Sequence, residues 1–379
     1  MRNATPEISE FLWFVALLVL FYSFGLWLSR RADRSPQQLR RYWFIHMRWA
    51  NLAFPAAILT WIAVLHHSNE NWLSSDWSET SFIFLAATLV LAPPLLALLA
   101  YQLGAAGLIR RAVEPGLRFR NVFATWFWGA LSGPVALCFL VTGLVFAAVS
   151  QFRLAAVLSG AAGLCYLISQ QAHWKSMGVT FEPIPGGDLR DRILAIARAA
   201  SIRPASLRLL RSSRRPFATA FAASGNAICI SATLVENLPK AELDAIAAHE
   251  LAHLRHHHHL LILPAVLVPL FLFIALFSAV PWPPLQRYAH FFALLPGICL
   301  AGAISRYFER KADRLAASLI PEPAILIRAL ARITSLNLLP TSWSGWDAQL
   351  FSHPSLEQRA AHIASAFHLP LAEVLPHLS

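Results

Sequence analysis

The stretch "AAHELAHLRHHHH", residues 247–259, decides how the rest of the chain is read. His249 and His253 are four apart and fall on one face of an α-helix, where Glu250 leans over whatever they hold. That geometry suits a hydrolytic zinc, with imidazole nitrogens on the ion and a carboxylate beside its water. The run His256, His257, His258 and His259 reads differently. Beyond His253 a continuous helix turns these side chains away from the pair, into the border of an apolar segment where imidazoles meet water and lipid headgroups.

The surrounding sequence supplies a helix for the motif. "PKAELDAIAAHELAHLRHH" opens with Pro239 at a helix start, and Glu242 and Asp244 follow where the helix dipole favours acids. From about residue 183 the composition is that of a mixed soluble fold. "GGDLRDRILAIARAASI" places Leu189, Ile193, Ile196 and Ala197 on one helical face, and "SLRLLR" and "AICISA" predict strands. Between those strands, "FATAFAASGN" predicts a further strand and a turn.

Most of the remaining chain belongs in a bilayer. Of 379 residues, 57% are hydrophobic and 13% charged, and the mean hydropathy is +0.52. The net charge of +11 reflects arginines at the ends of apolar runs, which set orientation and do not indicate nucleic-acid binding. Cys138, Cys165, Cys229 and Cys299 lack C-x-x-C spacing, so a metal would take nitrogen and oxygen ligands. Glu7 and Glu10 precede the first apolar run and Arg30 and Arg31 follow it, which predicts a retained anchor and not a cleaved signal.

A helix needs about 20 apolar residues to cross the hydrocarbon core. Five segments before the motif approach this: about 11–29, 49–66, 81–109 (interrupted by Pro93 and Pro94), 123–149 and 154–170. Two follow it, about 260–280 and 288–304. Arginine-rich loops after the first and third spans face the cytoplasm by the positive-inside rule, whereas "HSNENWLSSDWSET" has acids and no Lys or Arg. The expected fold is an α-helical polytopic membrane protein of about seven transmembrane helices with a small cytoplasmic α+β zinc metallopeptidase domain. Its expected parts are a five-span region (1–171), a cytoplasmic subdomain with the H-E-x-x-H helix (172–259), two further spans (260–304) and a cytoplasmic helix and tail (305–379).

A catalytic zinc takes three protein ligands, so a third must come from elsewhere. "ISRYFERKADRLAAS" offers Glu309 directly after the last span, with Asp313 one helical turn further on. Glu309 as ligand and Asp313 as acceptor behind a ligand histidine follow the logic of such sites. An exposed helix beside the membrane, on which E-x-x-x-D has no role, is the other reading of the same residues.

Taken together, H-E-x-x-H, two apolar spans, Ser305, Arg306, Glu309, Ala312 and Asp313, then "SHPSLEQR" (His353, Pro354, Ser355, Arg359) resemble the integral-membrane zinc metallopeptidases that include bacterial HtpX and the eukaryotic CAAX prenyl protease. The segment "RRPFATAFAASGNAICISATLVENL" is similar to the same family's strand and following helix, and the resemblance spans about residues 183–363. It implies a zinc endopeptidase with one Zn2+ held by His249, His253 and Glu309, with Asp313 behind a ligand. Glu250 would be the general base, and His353 a donor to the tetrahedral oxyanion. Thr219, Ala220, Phe221 and Ala222 would line the extended substrate; Thr219 stands where the family typically has Asn.

The implied partners are a lipid bilayer and a protein or peptide substrate, membrane-associated or misfolded. The implied location is the cell inner membrane, multi-pass, with the active site facing the cytoplasm. A signal receptor cleaving one cytoplasmic partner and a silent zinc-binding scaffold are the competing readings. Oligomeric state has no signal in the sequence.

Overall fold

Lipid offers no partner to a peptide N–H or C=O, so apolar runs in a bilayer must satisfy their main chain within helices. The computed structural model describes residues 5–32, 35–68, 79–136, 139–140, 143, 152–214, 216–223, 225–283, 289–343 and 353–374. Its chain divides into two compact units, residues 1–179 with 213–215, and residues 180–212 with 216–379.

The first unit is helical: α1 (Thr5–Arg31), α2 (Pro36–Ser68), α3 (Glu79–Gly104), α4 (Ala106–Ala112), α5 (Phe119–Ala130) and α6 (Phe152–Ser176), with a π-helical turn at Leu131–Val135 after α5. Two glycines let α1 and α3 touch backbone to backbone. A Cβ on Gly25 would stand 2.3 Å from the Tyr101 carbonyl oxygen, and one on Gly104 would stand 2.2 Å from that of Tyr22. Small residues at a helix crossing allow this approach. Pro93 and Pro94 do not interrupt the third apolar segment as expected; both lie inside α3. The bend comes after Gly104, where the axis turns by 54° into α4.

Among the described residues, Phe11–Arg31, Phe152–Ser176 and Leu260–Ala279 are long and apolar enough to cross a membrane, and such segments number up to four if the bent pair Ala92–Gly104 with Ala106–Ala112 counts as one span. The expectation of about seven spans is therefore met in part. The segment 49–66 lies in α2, whose first half carries Arg40, Arg41 and Arg48. Much of 123–149, with Cys138, lies outside the described residues, as do residues 69–78 of the acidic loop.

The second unit builds the α+β fold. Its elements are β1 (Val179–Pro183), α7 (Asp188–Ala199), β2 (Ser206–Ser212), β3 (Ala220–Ala223), β4 (Ala227–Ser231), α8 (Ala232–Asn237), α9 (Lys240–Arg255), α10 (His258–Ala279), α11 (Ala289–Leu319), α12 (Pro323–Leu336), α13 (Leu356–Phe367) and α14 (Leu371–Val374). The sheet order is β1-β2-β4-β3. β2 runs parallel to β4, and β3 runs antiparallel to it with Phe221 opposite Cys229. The strands at 206–212, 220–223 and 227–231 and the helix at 188–199 follow the sequence pattern; β1 was not anticipated.

The core of this unit joins Leu207, Ile228 and Ile230 of the sheet to α9, and draws in Leu326 of α12 and Ile363 of α13. Ala245, Ala247, Ala248 and Ala252 are fully buried, and their small side chains let neighbouring elements close on α9. Two acids near its start tie it sideways: Glu242 pairs with Arg332 of α12 at 2.8 Å and Asp244 with Arg192 of α7 at 2.9 Å. The motif helix is thus clamped on several sides before its histidines are considered.

Candidate metal centre

On α9 the i, i+4 spacing brings the two motif rings together. Nε2 of His249 and Nε2 of His253 are 3.1 Å apart. Glu309, projecting from α11, closes the triangle: Oε2 lies 3.5 Å from His249 Nε2 and Oε1 lies 3.4 Å from His253 Nε2. These three residues form the only set with metal-ligand donors in mutual reach among the described residues. A tetrahedral zinc with bonds of 2.0–2.1 Å holds its ligand atoms about 3.3 Å apart. The observed separations fit that ion. Glu309 Oε2 is moreover a buried oxygen with no hydrogen-bond partner, a state that costs free energy unless a cation meets it.

Behind the triangle lies Asp313, fully buried one turn along α11. His249 Nδ1–H donates to Asp313 Oδ1 at 3.0 Å, which leaves Nε2 as the lone pair facing the other ligands. Arg359 Nε donates to Asp313 Oδ2 at 2.9 Å, and its Nη1 is 3.7 Å from Glu309 Oε2. Ser355 sets Arg359 in place: it caps α13 in a reciprocal capping box with Gln358, one turn before the arginine. The S-x-x-Q pattern of that box is visible in "HPSLEQR", but its pairing with Asp313 across 46 residues is not.

His353 also reaches the cluster, with Nδ1 3.0 Å from Glu309 Oε1 and a side chain 64% exposed. Glu250 is buried on α9. The structure therefore gathers His249, His253, Glu309, Asp313 and His353 at one point, with Glu250 adjoining on the same helix. Thr219, Ala220, Phe221 and Ala222 lie at and just before the edge strand β3, with no strand beyond it among the described residues.

Charge follows geometry. Burial alone would raise both carboxyls; His353 and the two motif histidines hold Glu309 well below the usual range, and Arg359 with His249 holds Asp313 below it. For His249, burial and Arg359 push the ring down, but Asp313 and Glu309 outweigh them and hold it up at about 10. His353 is raised, chiefly by Glu309. So strong a demand for positive charge between two imidazoles and a carboxylate is one a divalent cation would meet in place of protons.

One neighbour of the cluster was missed. His258, expected to face the membrane border, is 3% exposed and its Nδ1 lies 2.9 Å from Nδ1 of His253. Burial and the positive charges of His253, His256 and Lys311 lower it to about 3.

Known proteins resemble the part of the chain that carries these residues. Residues 183–366 match the description of peptidase family M48. A Streptomyces coelicolor protein named Protease HtpX homolog 1 is 30% identical over 179 residues, covering 38% of this chain and 58% of the relative. A Protease HtpX homolog of Chlorobium phaeovibrioides is 26% identical over 207 residues, covering 47% and 71%. The chain thus spans little more than half the length of the first of these relatives. The crystal structure of S. mikatae Ste24p shares the fold, with a TM-score of 0.54 at 17% identity, covering 93% of this chain and 98% of that one. Residues 183–366, which carry the whole cluster, are thus similar to peptidase family M48 and to the proteins named as HtpX homologues.

Proposed function

We propose that this chain is a membrane-embedded zinc endopeptidase that hydrolyses peptide bonds of membrane-associated or misfolded proteins at the cytoplasmic face of the cell membrane. The observation that carries the reading is the triangle of His249, His253 and Glu309, whose separations of 3.1, 3.5 and 3.4 Å match one tetrahedral ion. When bound there, zinc supplies Lewis acidity to the scissile carbonyl and to water. The chain's own groups do the rest. Glu250 takes the proton of the attacking water and hands it to the departing amine nitrogen. His353, anchored to Glu309 through Nδ1, donates from its exposed side to the oxyanion that forms.

Substrate recognition follows from strand chemistry. Ser231 N–H donates to the Thr219 carbonyl at 2.9 Å, so Thr219 spends its main chain on β4. In an antiparallel pair the residues alternate, and Ala220 and Ala222 turn their N–H and C=O outward. Ala218 faces outward too, but the Asn337 side chain occupies it, accepting from its N–H at 3.2 Å and donating to its carbonyl at 2.7 Å. An extended peptide would pair with Ala220 and Ala222 and stop at Asn337. Such binding reads backbone more than side chains, which suits loosely folded substrates.

The testing experiment is Glu250→Gln. Cleavage of an unfolded protein should fall by at least 10^2–10^4-fold while one zinc per chain stays bound. Cleavage at the wild-type rate would remove Glu250 from its role and the endopeptidase reading with it.

A further inference from the structure

His249 and His253 pose the same requirement: a ring whose Nε2 faces the ion carries its proton on Nδ1 and must donate it somewhere. Asp313 meets the first. Behind His253 no carboxylate is found among the described residues; the atom in reach is Nδ1 of His258, at 2.9 Å. On an unbroken helix this contact is closed off, because five residues advance about 500° and leave the two side chains roughly 140° apart. The chain breaks to make it. α9 ends at Arg255 with His256 as its cap, His257 adopts the left-handed conformation at φ 53° and ψ 28°, and α10 restarts at His258.

That reversal returns the His258 ring to the cluster, where it is held by flat surfaces. It stacks on Phe308 with centroids 4.3 Å apart and planes 13° from parallel, and on His256 at 5.3 Å and 28°. Phe308 immediately precedes Glu309 on α11, so one ring ties the second histidine ligand to the element that brings the third.

We infer that His258 is a positioning residue whose Nδ1 lone pair accepts the Nδ1–H of His253, fixing the tautomer and ring plane of the second metal ligand. The inference rests on the zinc reading above. It gives the two histidines unlike supports, an anion behind His249 and a neutral acceptor behind His253. The anion behind His249 is matched in turn by Arg359.

The test is the rate at which the full-length, zinc-loaded protein in detergent gives up zinc to a fluorescent chelator. His258→Phe keeps a ring for the stack and removes the acceptor; His258→Asn sets an amide oxygen about where Nδ1 stood. Release should be about 10–100-fold faster for Phe, and within about threefold of wild type for Asn. Wild-type release from the Phe variant, or equally fast release from both, overturns the inference in favour of packing alone. Should the Phe variant fail to fold, Asn decides: zinc retained supports the acceptor role and zinc lost refutes it. A wild-type chain that takes up no zinc overturns the reading of the cluster itself, and this inference with it.

Discussion

Asp313 is where two demands on the cluster meet, since one oxygen orients His249 and the other holds Arg359. Replacing it with Asn keeps the shape and removes the charge. The expected result is a loss of zinc affinity of about 10–100-fold, measured by competition with a chelator; unchanged affinity would mean that the carboxylate serves packing only. His353 makes a complementary case, since its contact is with Glu309 and its outer face is open. His353→Ala should lower kcat by about 10^2–10^3-fold with little effect on KM, and an effect on KM alone would assign it to substrate binding. Residues such as His249, His253, Glu250 and Glu309 were legible because helical spacing, or the two-part motif, announces them. His258 was not, because periodicity assumes an unbroken helix and the left-handed turn at His257 has no glycine to signal it.

Among the elements, β3 is held by unlike means on its two sides. β4 pairs with it along Ala220–Ala223, and Asn337, at the end of α12, holds Ala218 through two side-chain hydrogen bonds. Asn337→Ala leaves a buried N–H and C=O unpaired, and should cost about 1–3 kcal/mol with a fall in kcat/KM. Thermal unfolding checks the first and steady-state kinetics the second; a variant as stable as wild type would show that Ala218 finds other partners. The strands themselves were readable from β-branched and apolar runs, but Asn337 lies 119 residues away and nothing local marks it.

On β4, Cys229 offers a pH test. Burial pushes its thiol up to about 11, with Arg208 opposing and Glu250 adding to the rise. A folded-state pKa above the unfolded value near 8.5 contributes stability that is whole below that value and is lost as pH rises through 11. Maleimide at pH 8 should therefore spare Cys229 until the domain unfolds, with stability falling above about pH 9. Labelling of the native protein at the unfolded rate would contradict the burial.

At the scale of the whole molecule, composition made a membrane protein legible, and the division between a helical unit and an α+β unit follows the change of composition near residue 183. The number of spans was less legible. Apolar length does not tell a lipid-facing helix from one such as α11, which runs on without a break from an apolar start into the charged segment carrying Glu309. Loop charge predicts that residues 172–259 and 305–379 share the cytoplasmic side. Single cysteines at Arg211 and Glu357, in a background lacking the native ones, should resist a membrane-impermeant maleimide in intact cells and react after lysis. Labelling of either in intact cells would reverse the assigned orientation.

The proposed peptidase chemistry requires one zinc held by His249, His253 and Glu309. Metal content and cleavage of an unfolded protein, measured side by side on the detergent-purified wild type and on Glu309→Ala, test it most directly. One zinc per chain and turnover are expected in the wild type, with both lost in the variant. Zinc and turnover both retained by Glu309→Ala would contradict it.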